Sequence, residues 1–66
     1  MQMTAILNAD PYGGYVALNP ETGTTTQGDT VEEAIANLRQ AVELYLEEFP
    51  LTTVGAPIIT SFDVAA

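Results

Sequence analysis

Thr26-Gln27-Gly28-Asp29-Thr30-Val31-Glu32-Glu33-Ala34 decides how this chain folds, because a strand ends and the one long helix begins within it. Thr30 and Glu33 stand three residues apart, the form of a capping box in which each side chain satisfies the other residue's backbone N–H. Glu32 and Glu33 also place negative charge in the first turn, where the helix dipole is positive. Val31, Ala34, Ile35, Leu38, Ala41, Val42, Tyr45 and Phe49 then recur at three- and four-residue spacing. That pattern predicts one apolar stripe on a helix of about five turns. Pro50 ends it, since the residue before a proline is pushed out of the α region. Leu44 and Leu46 fall outside the stripe, either as edge residues partly covered by a sheet or as part of a subunit contact.

Working back toward the N-terminus, 24–27 is β-branched and polar and reads as a short edge strand. Pro20-Glu21-Thr22-Gly23 is a turn before it. Strands are expected over 15–19 and 3–8, joined by Ala9-Asp10-Pro11-Tyr12-Gly13-Gly14, whose proline and glycines suit a hairpin. In the first strand Met3, Ala5 and Leu7 are apolar, but so is Ile6 on the opposite face, which suits a central strand covered on both sides more than a solvated edge. Beyond the helix, 51–57 reads as a connector and 58–64 as a final strand with Ile58, Phe62 and Val64 on one face. The expected class is α+β: a β-β-β-α-β domain over residues 1–66, one helix packed on one face of a mixed sheet. A strand–helix–strand crossover is right-handed, which sets the last strand parallel to one of the hairpin strands.

Sixty-six residues make a single domain with a thin core, and such domains gain support from disulfides, metals or oligomerisation. The chain has no cysteine and no histidine, so it lacks a disulfide, a thiolate nucleophile and the commonest metal ligand. A homo-oligomer is the expected support. Nine acidic residues face a single base, Arg39, for a net charge of −8. One arginine cannot displace the counterions of a nucleic acid, and the same charge speaks against anionic membranes. A basic protein is the natural complement, although acidity by itself also keeps a small domain soluble. Neither a leader peptide nor an apolar run of the ~20 residues that span a bilayer is present, so a cytoplasmic location is expected.

Carboxylates are the only candidates for catalysis, and an Asp10, Asp29 and Glu33 metal cluster is conceivable. Each has a plainer role, in a turn, beside the cap and in the capping box. No catalytic residue, cofactor or metal is therefore expected. Glu43, Glu47 and Glu48 sit at the helix end that prefers cations, which makes them the candidate partner-binding residues, against the alternative of a solvated face. Gly13-Gly14 and Gly28 lack the companions of phosphate and dinucleotide loops and read as turns. Tyr12, Tyr15 and Tyr45 are too few for a stacking platform.

Gly13-Gly14-Tyr15-Val16-Ala17 and Thr26-Gln27-Gly28-Asp29-Thr30-Val31-Glu32-Glu33-Ala34, followed by Asn37, Ala41 and Tyr45-Leu46-Glu47, resemble the N-terminal domain of the HicB family of antitoxins. Pro57-Ile58-Ile59-Thr60-Ser61-Phe62-Asp63-Val64 is similar to that domain's closing strand, so the likeness runs over nearly the whole chain. The resemblance implies a partial ribonuclease-H-like fold without its catalytic residues. It also implies a function: binding and blocking a small basic ribonuclease toxin of the HicA type. Pro20-Glu21-Thr22-Gly23-Thr24 is one residue shorter than the family's usual loop. With the sequence ending at Ala66, no DNA-binding segment of the kind many members carry is expected. The competing expectation is a solitary oligomeric HicB-like domain with another regulatory or scaffolding partner, and the third is a carboxylate enzyme.

Overall fold

A computed structural model of the chain describes residues 1–51 and 57–65. Three strands, β1 (Ile6–Ala9), β2 (Tyr15–Asn19) and β3 (Thr24–Gly28), precede one helix, α1 (Val31–Glu48). The strands form an antiparallel sheet in the order β1-β2-β3. Leu7, Ala17 and Thr26 stand opposite one another across it, as do Ile6, Leu18 and Thr25. The β1–β2 turn closes through two backbone bonds, Asp10 N–H to the Gly14 carbonyl and Gly13 N–H to the Asp10 carbonyl. The Asp10 carboxylate accepts the Tyr12 N–H at 2.8 Å, which is the turn role expected of it.

β1 begins three residues later than its apolar pattern implies, and proline is the reason. Extending the β1–β2 register would set Thr4 opposite Pro20, which has no N–H to give the ladder. Side chains satisfy the Thr4 backbone instead. The Asn19 amide donates to its carbonyl and the Glu21 carboxylate accepts its N–H. Met3 still packs against the core without belonging to the sheet.

Alternation along β2 turns Ala17 and Asn19 toward α1, and both are fully buried. The helix lies across β2 and β3. Its first two turns are tied to β3: Thr26 Oγ1 donates to the Ala34 carbonyl at 3.0 Å, and Asn37 donates to the Gln27 carbonyl at 2.8 Å. Gly28 makes this approach feasible. A Cβ on Gly28 would sit 2.4 Å from the Ala34 nitrogen and 2.8 Å from its Cα. Gly28 is therefore the last residue of a strand under a helix and not the turn expected from sequence. Gly14 does combine both demands, with φ +76° and the Gly28 carbonyl 2.7 Å from where its Cβ would be.

Thr30 is the N-cap, its hydroxyl accepting the Glu33 N–H at 3.1 Å. Among the described residues the reciprocal bond from the Thr30 N–H to the Glu33 carboxylate is not made, so half of the expected capping box forms. At the other end the Phe49 N–H closes on the Tyr45 carbonyl. The buried stripe is narrower than the pattern suggested: Ala34, Leu38 and Val42 are buried, with Leu46 packed beside them. Leu46 thus belongs to the core edge, while Leu44, Ile35 and Phe49 are exposed. Phe49 rests on Tyr45 instead, ring centroids 5.1 Å apart.

The α+β class and the single helix over one sheet face stand, but the closing strand does not form. Residues 58–64 carry no strand, and Ile58, Phe62 and Val64 are 94%, 85% and 72% exposed. The sheet of the described residues is consequently all antiparallel and not mixed. β-branched alternation is a local preference; a strand exists only when an edge receives its backbone donors and acceptors. The expected connector over 51–57 lies mostly outside the described residues.

Two substitutions test this frame. Gly28→Ala forces a methyl group into the helix backbone and should lower the unfolding free energy by about 2 kcal/mol or more; an unchanged denaturation midpoint would show that the contact yields. Thr30→Ala removes the cap and should cost about 1 kcal/mol in the same measurement.

Candidate partner-binding surface

Three helical acids, Glu43, Glu47 and Glu48, cluster near the C-terminal end of α1, and all are exposed. Glu43 and Glu47 are one turn apart on one side of the helix, and Glu48 lies about 100° further round. Arg39, the chain's single base, pairs with Glu43 at 3.3 Å. Both side chains are well hydrated, so the pair contributes little to stability. Glu47 and Glu48 have no ion-pair partner among the described residues, and the last helical turn holds no base. Their charge therefore faces solvent at the helix end where it is least favourable.

Further acids extend this field. Asp29, Glu32, Glu33 and Asp63 are exposed as well, whereas Asp10 and Glu21 are half-buried and engaged in turns. Asp10, Asp29 and Glu33 do not come together. Among the described residues no group of three acids is placed to hold a metal ion. Beside the acidic helix end runs an apolar groove of about 500 Å³, between residues 1–5 and α1. Met1, Met3, Leu38, Val42 and Leu46 line it, with Glu43 on its border. The groove exists because α1 sits over β2 and β3 and leaves the β1 side uncovered.

One polar centre went unread in the sequence. Asn19 is fully buried, and its amide donates to the Thr4 carbonyl and to Glu21 Oε1, each at 2.8 Å. Its Oδ1 accepts from the Thr22 N–H and the Thr22 hydroxyl at 2.9 and 2.7 Å. The short Pro20–Thr24 loop is thus a tied turn. An asparagine directly before Pro-Glu-Thr-Gly is the signal that could have revealed it, since Asn closes turns onto residues just ahead. Removal from water raises the Glu21 carboxyl, but hydrogen bonds from the Thr4 hydroxyl, from backbone N–H groups and from Asn19 outweigh this and hold it below the usual glutamate range.

The direction of that shift sets a pH dependence. A carboxylate with a folded pKa below its unfolded one contributes stability that is complete at neutral pH. The contribution disappears as pH falls from the ordinary glutamate range through the lower folded value. Glu21→Gln should therefore lose less stability than the parent between about pH 7 and about pH 3. Parallel slopes in denaturation midpoints would contradict it.

A scan of protein-family models finds no match, and no solved structure matches the chain. Two curated proteins of Synechocystis sp. are similar to it. The UPF0150 protein ssl0738 is 46% identical over 48 residues, covering 71% of this chain and 67% of that protein. The UPF0150 protein ssr1765 is 49% identical over 45 residues, covering 67% of this chain and 57% of that protein, so in the second case the match spans a little over half the relative. No helix among the described residues is long and apolar enough to cross a membrane. With identity this high across two thirds of a relative's length, the chain belongs to the UPF0150 family.

Proposed function

We propose that this chain is an antitoxin-like binding module, acting in the cytoplasm, that captures a small basic ribonuclease of the HicA type and blocks it. The observation that carries the reading is the charge: −8 overall, with one base already paired and the acids at the end of α1 directed to solvent. Residues placed against the helix dipole lower stability, so a use in recognition accounts for their position. The HicB-like resemblance of the Gly13–Ala17 and Thr26–Ala34 runs supports the same partner. In the fold those runs are the start of β2 and the β3–α1 joint.

Inhibition follows from competition for one field. RNA phosphates and an acidic domain seek the same positive surface on the ribonuclease, and occupation by the protein excludes the RNA. Glu47 and Glu48 steer encounter, while apolar contacts hold the complex once formed. Association should slow as added salt shortens the Debye length below its physiological value of about 8 Å, with dissociation nearly constant.

The direct test is RNA cleavage by a HicA-type toxin encoded beside this chain, assayed with and without the protein. Inhibition at equimolar protein is expected. The triple variant Glu43→Lys, Glu47→Lys, Glu48→Lys should bind at least about tenfold more weakly, chiefly through slower association. Undiminished cleavage with the protein in tenfold excess would overturn the reading in favour of an oligomeric HicB-like domain with another regulatory or scaffolding partner.

A further inference from the structure

Two incomplete features face each other in this fold. Among the described residues β1 pairs with β2 alone, so its outer edge presents backbone donors and acceptors that none of them takes up. The groove beside it, between residues 1–5 and α1, is open over the buried side chains Leu38 and Val42. An uncovered strand edge beside an apolar groove is a binding site for an extended segment with alternate apolar side chains. The chain carries such a segment. In 57–65, Ile58, Phe62 and Val64 fall on one face of an extended chain, with Thr60 among them, and all three are exposed.

We propose that residues 57–65 of one chain add as a fourth strand to the outer edge of β1 in a second copy, and that the exchange is reciprocal. Ile58, Phe62 and Val64 then enter the groove of the other copy. Ile59, 59% exposed in the single chain, lies on the opposite sheet face, which it shares with Ile6 and Leu18. The segment takes the place a right-handed crossover would give it, parallel to β1, since β1 and β3 run in the same direction.

Exchange is favoured over return to the same chain on three grounds. Within one chain the segment is exposed while groove and edge stay open. In the sequence Pro50 and Pro57 bracket the connection from α1, and a proline biases the residue before it toward extended backbone, which favours reaching out to a second copy over folding back. The described core of one copy is also small: among the described residues the buried apolar side chains are Ala17, Ala34, Leu38 and Val42. A two-fold exchange occupies the β1 edge and the groove of both copies at once and leaves neither segment unplaced.

Charge gives this association a signature of its own. Both copies carry −8, so they repel, and added salt must strengthen the dimer. That is opposite to the salt response of a complex with a basic ribonuclease, and the two readings stand or fall separately. Glu47 and Glu48 do not line the groove and remain available to a partner.

The full chain should sediment as a dimer at micromolar concentration, tighter at high salt, and Phe62→Asp should sediment as a monomer. Phe62 is exposed in the single chain, so the variant should keep its helical circular dichroism. Because the chain has no cysteine, single-cysteine variants report the partner directly. Asn8→Cys mixed with Ile59→Cys, Ser61→Cys or Asp63→Cys should yield a disulfide between the two different chains in at least one pairing. A monomeric parent, a Phe62→Asp dimer as stable as the parent, or no mixed disulfide in any pairing would each overturn the proposal. So would an exclusively intrachain disulfide when both cysteines are placed in one chain.

Discussion

The backbone of β3 meets the backbone of α1 at Gly28, and nearly every other placement depends on that contact. With no side chain at Gly28, the first turn of α1 settles close enough for Thr26 to reach the Ala34 carbonyl and Asn37 the Gln27 carbonyl. The same approach brings the Ala34, Leu38 and Val42 row down on Ala17. Small residues at the closest point, Ala17 and Ala34, continue the logic: the helix lies low over β3 and widens away from it. A core made this way gains close packing from backbone proximity more than from bulky side chains.

β2 links this contact to a second one of different character. Tyr15, at one end, pairs with Gly28. Asn19, at the other, replaces apolar packing with a saturated set of hydrogen bonds to Thr4, Glu21 and Thr22. A buried amide without partners would be costly, so the turn and the residues before β1 must adopt one arrangement to satisfy it. No buried side-chain polar atom among the described residues lacks a partner. One end of β2 is set by shape and the other by polarity.

Much of this was legible from residue order. The hairpin, the polar third strand, the Thr30 cap and the helix stop before Pro50 all follow from local chemistry that the rest of the fold does not oppose. What escaped depends on distant neighbours. Pro20 shortens β1 from across the sheet, an effect that requires the register. Leu46 is covered and Ile35 is not because α1 is offset toward β3, which a helical wheel does not contain. Residues 58–64 have strand chemistry but pair with no edge in the single chain. On the surface, the acids at the end of α1 are exposed, as their place on the helix implies, whereas the groove beside them arises from helix offset and has no local sequence mark.

The free edge of β1 also bears on how the protein behaves in a crowded solution. A bare row of backbone donors and acceptors is a template that any extended chain can copy, and nothing in its geometry ends the copying. Here the restraint is colloidal. At neutral pH every molecule carries the same strong negative charge, and mutual repulsion opposes unlimited growth from edge to edge. That restraint vanishes near the isoelectric point, about 4.1, whereas the hydrogen bonds that hold the Glu21 carboxyl below the usual glutamate range keep its turn tied to lower pH. Mild acid thus removes the charge that guards solubility before it reaches the carboxylate that ties the Asn19 turn.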